Sequence, residues 1–188
     1  MAFWGAPLPD SNQAENACRS CIKMMKALAK LNQRFKSENI ICEINIGIGL
    51  HTGEVMAGNI GSKKKFNYTA FGDGVNLTSR IESLNKIYGT NIIITESTKK
   101  EIKNNPEFKT RELDTIMVKG KKEPKTIFEL IVKDINKDVL EHFENGRRLY
   151  KEGKWSKAVE EFSFGKDVDG PSNMYLQRCK ELQENPPE

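Results

Sequence analysis

The sequence predicts an α+β domain followed by a small, purely helical segment. Residues 44–50 alternate between apolar side chains and small or polar ones, which is typical of a half-buried β-strand. Residues 73–88 instead carry apolar side chains at helical spacing. From about residue 134 onward the pattern is helical and contains no strand signal. These changes of period predict two domains, at residues 1–133 and 134–188.

Composition and charge narrow the classes of function. The chain has 188 residues, with 30 Lys and Arg against 26 Asp and Glu, which gives a net charge of +4. This charge is too mild to indicate a nucleic-acid partner. No apolar run approaches the ~20 residues of a membrane span, and the opening "MAFWGAPLP" lacks the basic and apolar regions of a secretory signal. We therefore expect a cytoplasmic chain with no membrane segment.

The first part of the chain predicts a strand, a long helix and a hairpin. The apolar "MAFWG" is typical of the end of a buried strand, and apolar spacing then predicts a helix to about residue 37. Gly47 and Gly49 interrupt the alternating strand, which weakens it unless another group must approach the backbone closely. After a turn at residues 51–53, "EVMAGNI" is typical of the returning strand of a hairpin.

The remaining elements follow in order. "NYTAF" predicts a short strand, and a helix runs from Asp73 to Tyr88, where Gly89 is a typical C-terminal signal. "NIIIT" predicts a buried strand, "ESTKKEIKN" a short helix, and two further strands flank the loop "KGKKEP". In the tail, four residues have the spacing of a tetratricopeptide repeat, in which small side chains let helices pack closely: Gly146, Ala158, Phe162 and Pro171.

Three features leave alternatives open. Cys18 and Cys21 form a C-x-x-C pair, which is either a redox or zinc motif or, as we favour within a helical pattern, two core residues. His51 is either a base or ligand or, as we favour, a turn residue. The basic loop "SKKKF" favours solvated lysines over a phosphate contact.

The stretch "NYTAFGDGVNLTSR" carries the strongest functional signal. Gly72 and Gly74 supply backbone freedom for a sharp strand-to-helix turn, and Asp73 is placed to cap the helix rather than to bind a metal. Asn76 and Arg80 lie four residues apart at the edge of the apolar stripe, where we expect half-buried side chains. Arginine at such an edge suits a phosphate in a cleft, and the alternative is an ion pair with a nearby glutamate.

Three segments resemble the class III adenylate and guanylate cyclase catalytic domain: "INIGIGLHTGEVMAGNIGS", "FNYTAFGDGVNLTSRIESLNK" and "VKGKKEPKTIFEL". The resemblance covers about residues 1–132 and is most specific around Gly72 to Arg80. It implies a ferredoxin-like α/β sandwich whose active unit is a head-to-tail dimer, a homodimer or a heterodimer with another cyclase domain. ATP would bind at the interface, and the subgroup it resembles is bacterial adenylate cyclases.

The resemblance also implies roles for particular residues. Asn76 matches the asparagine that orients the ribose, and Arg80 matches the arginine that stabilises charge on the α-phosphate. Thr69 matches the position that reads the base; many adenylate cyclases have aspartate there, but a hydroxyl can also donate to or accept from adenine. Lys119 matches a contact to the terminal phosphates, although Lys121 fits equally well.

The same resemblance implies two Mg²⁺ or Mn²⁺ ions held by two aspartates on strands upstream of Met1. We find no equivalent pair in this sequence, so we expect an N-terminally truncated domain that carries only the asparagine/arginine half of the site and is inactive alone. The alternatives are a non-catalytic regulatory or dimerisation module, or part of a guanylate cyclase.

Overall fold

A computed structural model describes residues 1–62, 65–117 and 123–187 of the chain. These residues divide into two compact units. The first unit, which we call the α/β unit, comprises Met1–Asn85 and Asn91–Val132. The second, the helical unit, comprises Lys86–Thr90 and Lys133–Glu188.

The secondary structure alternates in the α/β unit and is purely helical afterwards. The helices are α1 (Gln13–Ser37), α2 (Asp73–Tyr88), α3 (Glu96–Ile102), α4 (Lys137–Lys151), α5 (Trp155–Gly165) and α6 (Gly170–Glu184). The strands are β1 (Ile48–Leu50), β2 (Met56–Ser62), β3 (Lys65–Phe71), β4 (Ile92–Thr95), β5 (Thr110–Ile116) and β6 (Lys125–Leu130). The predicted helices up to α3 and the predicted buried strand β4 are thereby confirmed.

The strands form two separate sheets. The larger sheet has the order β1-β4-β6-β5, with β1 parallel to β4 and the other neighbours antiparallel. The smaller sheet is the antiparallel pair β2-β3. The prediction that β2 returns along β1 is therefore wrong. β1 instead uses β4 as its partner, and β2 forms its hairpin with the strand that follows it.

One strand prediction was too long, and another was wrong. The alternating segment 44–50 is a strand only over Ile48–Leu50. Residues before it are held by a side chain rather than by a ladder, because the amide of Asn32 pairs with both the N–H and the carbonyl of Ile44. Residues 1–5 form no strand, and Gly5 has a φ of +81°, which breaks an extended conformation.

One hydrophobic cluster of the α/β unit lies between α1 and the larger sheet, and further apolar residues such as Ile81, Ile93 and Ile127 are buried outside it. The cluster consists of Ala14, Cys18, Cys21, Ile92, Ile94, Ile102, Phe108 and Leu130, with Ile48 and Leu50 packed against it. The predicted apolar stripe of α1 is confirmed as a core face for Ala14, Cys18, Cys21 and Met25, whereas Leu28 and Phe35, farther along the same stripe, are only half-buried. Cys18 and Cys21 are fully covered members of the cluster, as favoured over a redox or zinc motif, and neither forms a disulfide.

The four thiols should therefore differ sharply in reactivity. Burial raises the pKa of Cys18 to about 12, and it raises the pKa of Cys21 and of Cys179 to about 11. Since the thiolate is the reactive form, we expect Cys42, which is exposed, to react with a disulfide reagent at pH 8 far faster than the other three. Titration of the native and unfolded chain measures this. A second fast thiol in the native chain would contradict the assignment of the other cysteines to the core.

The helical unit is built around aromatic packing. Phe143, Phe162 and Tyr175 are buried and in ring contact with one another. Gly146 lets α4 approach α5 closely, because a Cβ there would lie 2.7 Å from the ring of Phe162. Asp169 caps α6 by accepting from the N–H of Ser172. Similarity to a tetratricopeptide repeat stays a prediction.

Along the described part of the chain, none of the helices has both the length and the apolar character that crossing a membrane requires.

Candidate active site

The strand-to-helix turn at Gly72 sets the direction of α2. Gly72 has a φ of +131°, a conformation that side-chain-bearing residues rarely adopt. Its carbonyl accepts from the N–H groups of Val75 and Asn76, so Gly72 occupies the cap position. Asp73 is consequently the first residue of the helix rather than its predicted cap. The turn fixes where the next two helical turns point, and those turns carry Asn76 and Arg80.

Gly74 has a steric role rather than the predicted conformational one. It is buried in the first turn of α2, and its φ is not positive. A Cβ at this position would lie 3.2 Å from Cδ2 of His51 and 3.3 Å from Cγ1 of Val55. The missing side chain therefore makes room for the imidazole ring.

Gly49 of β1 lets α2 pack directly on the strand. A Cβ on Gly49 would lie 2.6 Å from the carbonyl oxygen of Thr78 and 2.8 Å from the backbone nitrogen of Glu82. Asn85 is buried and donates from Nδ2 to the carbonyl of Ile48 at 3.0 Å. The group that must approach this strand closely is therefore the backbone of α2.

Asn76 and Arg80 lie one turn apart on an open face of α2. The buried stripe of this helix contains Leu77, Ile81 and Tyr88, as predicted. Asn76 and Arg80 are each about 100° round from that stripe, and both side chains are exposed. The expectation of half-buried side chains is thus wrong for the single chain, because the neighbouring elements pack on the stripe and leave this face uncovered.

Thr69 lies on an exposed apolar face of the β2-β3 hairpin. Cross-strand pairs share a face, so the pairs Met56–Phe71, Gly58–Thr69 and Ile60–Asn67 lie on one side. Met56 is 62% exposed, Phe71 42% and Ile60 40%, whereas Thr69 is half-buried between them. We call these six residues the hairpin face. It joins α2 through Gly72 alone, so Thr69, Asn76 and Arg80 belong to one continuous strand-turn-helix segment.

A cleft of about 500 Å³ lies elsewhere in the α/β unit, between α1, β1 and α2. On α2 it is lined by Val75, Thr78, Ser79 and Glu82. Thr69, Asn76 and Arg80 do not line it. The predicted site residues are therefore brought together by the strand-turn-helix segment and not by this cleft.

The predicted phosphate contact and the predicted metal ions differ from Thr69, Asn76 and Arg80, because the described part of the chain shows no residues in place for either. Lys119 and the alternative Lys121 lie outside the described residues. Within the residues that the structure describes, no group of three or more His, Cys, Asp or Glu side chains is arranged to hold a metal ion. These residues thus do not fit the Mg²⁺ or Mn²⁺ pair that the resemblance implies.

The residues that hold the segment in place do not stand out in the sequence. His51, Gly74 and Asn85 connect α2 to the end of β1. One signal was available: a glycine inside the first turn of a helix costs about 1 kcal/mol relative to alanine and therefore needs a steric reason. Its partner could not be found from spacing, since 23 positions separate His51 from Gly74 in the sequence.

Known proteins resemble the chain over the α/β unit and beyond. The adenylate cyclase, terminal-differentiation specific, of Dictyostelium discoideum is 34% identical over 180 residues, which cover 89% of this chain and 8% of that protein. The adenylyl cyclase CyaB from P. aeruginosa superposes with a TM-score of 0.61 and 29% identity, covering 71% of this chain and 66% of that one. The guanylyl cyclase Cya2 gives a TM-score of 0.59 and 32% identity, with coverages of 71% and 65%.

The chain thus spans less than two thirds of each of these relatives. The two structural matches confirm the predicted α+β fold, the ferredoxin-like sandwich of the cyclases. The sequence pattern of the family described as the adenylate and guanylate cyclase catalytic domain matches residues 1–130, more than half of the chain. The chain therefore belongs to the adenylate and guanylate cyclase catalytic domain family.

Proposed function

We propose that this chain supplies the asparagine/arginine half of an adenylate cyclase active site that two cyclase domains share. The observation that carries the proposal is the exposure of Asn76 and Arg80, one turn apart, on a segment that also presents Thr69. A single chain leaves these polar groups on an open face, which suits a site that a second domain completes. The family match supplies the reaction class.

In this proposal Arg80 acts on the transition state. The ribose 3′-oxygen forms a bond to the α-phosphorus while the bond from that phosphorus to the β-phosphate oxygen breaks. The hydroxyl passes its proton to solvent water, and pyrophosphate leaves with the bonding electrons. Negative charge builds on the α-phosphate oxygens, and a guanidinium, which stays protonated at any working pH, stabilises it electrostatically.

Asn76 and Thr69 position the nucleotide rather than react with it. The Asn76 amide, one helical turn before Arg80, holds the ribose so that its 3′-hydroxyl faces the α-phosphate. The Thr69 hydroxyl donates to or accepts from the adenine edge. The resemblance assigns the contact to the terminal phosphates to Lys119 or, equally, to Lys121. Together these contacts would turn a flexible triphosphate into one oriented for cyclisation.

The hairpin face supports the pairing of two domains. Met56, Ile60 and Phe71 expose apolar surface beside the segment that carries the site. Apolar surface of this kind is typical of a contact with another protein. We propose that the partner is a cyclase domain, either a second copy or a different chain, and that the pair acts in the cytoplasm, where the four unpaired cysteines stay reduced.

The divalent ions of the family reaction require ligands from outside the described residues. We therefore propose that a different cyclase domain supplies these ligands in the active pair, and that this chain, alone or paired with a second copy, turns over little ATP. The hairpin face also favours a second candidate function, a pairing module that regulates an intact cyclase without contributing to catalysis.

Complementation tests the proposal. The chain is mixed with an intact cyclase whose arginine at the position matching Arg80 has been replaced by alanine, in the presence of ATP and Mn²⁺. We expect cyclic AMP above the level made by either component alone. Heterodimer formation without any rise in cyclic AMP would contradict the half-site and favour the pairing module. Parallel assays with GTP report whether the pair is instead a guanylate cyclase.

A matched pair of substitutions at Thr69 tests the base contact. Thr69→Val keeps the shape of the side chain and removes its hydroxyl, so it should reduce the preference of the complementing pair for ATP over GTP by about tenfold. Thr69→Ser, which keeps the hydroxyl, should retain most of that preference. The ratio of kcat/KM for the two nucleotides measures it. An unchanged ratio in Thr69→Val would remove the base-reading role.

A further inference from the structure

A polar cluster lies where β1 and β4 end. Nδ1 of His51 lies 3.0 Å from Oγ1 of Thr95 and 3.3 Å from Oγ of Ser97. Thr95 is 3% exposed, and its hydroxyl also lies 2.9 Å from that of Ser97. One edge of the imidazole is thus anchored to the junction between β4 and α3.

The opposite edge of the same ring faces the start of α2. Cδ2 of His51 would lie 3.2 Å, and Nε2 3.5 Å, from a Cβ on Gly74. The 3.2 Å contact is tighter than nine in ten real Cβ contacts, whereas 3.5 Å is an ordinary van der Waals distance, so a side chain at position 74 would require the ring to shift by a few tenths of an ångström. Gly74 lies two residues before Asn76 in the same helical turn.

We propose that His51 is a positioning residue that sets the first turn of α2 and, through it, the direction of Asn76 and Arg80. Hydrogen bonds with the hydroxyls of Thr95 and Ser97 fix the ring, and the ring packs against Gly74. The anchor belongs to the buried end of β4, so the sheet supports the first turn of the helix whose direction the turn at Gly72 sets. The expected effect on catalysis rests on the proposed function, whereas the coupling between His51 and Gly74, which we call the local coupling, does not.

The local coupling is measured on the purified 188-residue chain without any activity assay. The N–H groups of Val75 and Asn76, which donate to Gly72, are followed by hydrogen exchange. His51→Ala should accelerate their exchange by about tenfold, the range of couplings between residues in contact. His142→Ala, which changes the only other histidine of the sequence, is the matched control and should leave them unchanged.

A double-mutant cycle separates positioning from a general loss of stability. With His51 absent, Cγ1 of Val55 at 3.3 Å is still close to a Cβ at position 74 and has to yield by a few tenths of an ångström, but the closer ring atom is gone. Gly74→Ala then gains helix propensity and should slow the exchange of Val75 and Asn76 about fivefold. With His51 present, the added methyl group meets the ring, and the same substitution should not slow exchange. An equal effect of Gly74→Ala in both backgrounds would overturn the proposal, because the two residues would then act independently.

Activity in the complementing pair supplies the second readout. Displacing Arg80 weakens stabilisation of the transition state, so His51→Ala should lower kcat about tenfold while KM for ATP stays within about twofold. His51→Ala/Gly74→Ala should recover part of this loss. If the cycle shows coupling but the pair makes no cyclic AMP, the positioning role stands and the proposed function fails. If the pair is active and His51→Ala alters neither exchange nor kcat, the positioning role fails alone.

Discussion

Arg80→Ala should lower kcat of the complementing pair by about a thousandfold, with KM for ATP changed little. This is the loss of about 4 kcal/mol expected when a group that stabilises developing charge in a water-excluded site is removed. The electrostatic interaction of the guanidinium with the α-phosphate reaches its full strength only as negative charge builds there. Binding of ATP before the reaction therefore depends less on Arg80. Steady-state production of cyclic AMP at varied ATP measures both constants.

Two control variants isolate the guanidinium. Lys86→Ala removes a positive charge from another exposed position of α2 and should leave kcat within about twofold, since surface charges away from the site contribute little. Arg80→Lys keeps the charge but loses the planar fork of donors, so it should recover only part of the activity. A loss confined to KM in Arg80→Ala would contradict the transition-state role.

Gly49→Ala should destabilise the α/β unit by about 3 kcal/mol, which lies at the upper end of the cost of overpacking. The added methyl group would lie 2.6 Å from the backbone oxygen of Thr78 and 2.8 Å from the backbone nitrogen of Glu82. Both neighbours are helix backbone, so neither can rotate away as a flexible side chain would. The helix must shift as a body or the strand must bend. Urea denaturation followed by circular dichroism measures the loss.

Gly58→Ala is the matched control for this substitution. Gly58 also lies in a strand, but a Cβ there would have no heavy atom within 4 Å. We expect its free energy of unfolding to stay within about 0.5 kcal/mol of the parent chain. If Gly49→Ala is as stable as Gly58→Ala, α2 does not rest on the backbone of β1, and the account of how Asn76 and Arg80 are held is wrong.

Local pattern was enough to predict most elements and was insufficient for their pairing. The 16 residues of α2 and the buried run of β4 follow from periodicity, because each buries one face or both faces in a regular way. The partner of β1 does not, since β4 lies some forty residues later in the sequence and the pairing depends on a contact between distant parts of the chain. The hairpin was consequently assigned to the wrong pair of strands.

The site shows the same division between local and distant information. Spacing places Asn76 and Arg80 on one face of α2. It does not give their exposure, which depends on what the rest of the chain packs against that helix. Gly74 is instructive in the same way: its sequence context suggested backbone freedom, but its role depends on His51, which belongs to another element.

The most direct measurement is a structure of the complementing pair with a non-cyclising ATP analogue. The account predicts the Arg80 guanidinium within about 2.9 Å of an α-phosphate oxygen, the length of a charge-assisted hydrogen bond, with the triphosphate lying between two protomers and the ribose against Asn76. An analogue bound elsewhere, with Arg80 and Asn76 directed into solvent on a surface that no second domain covers, would contradict it.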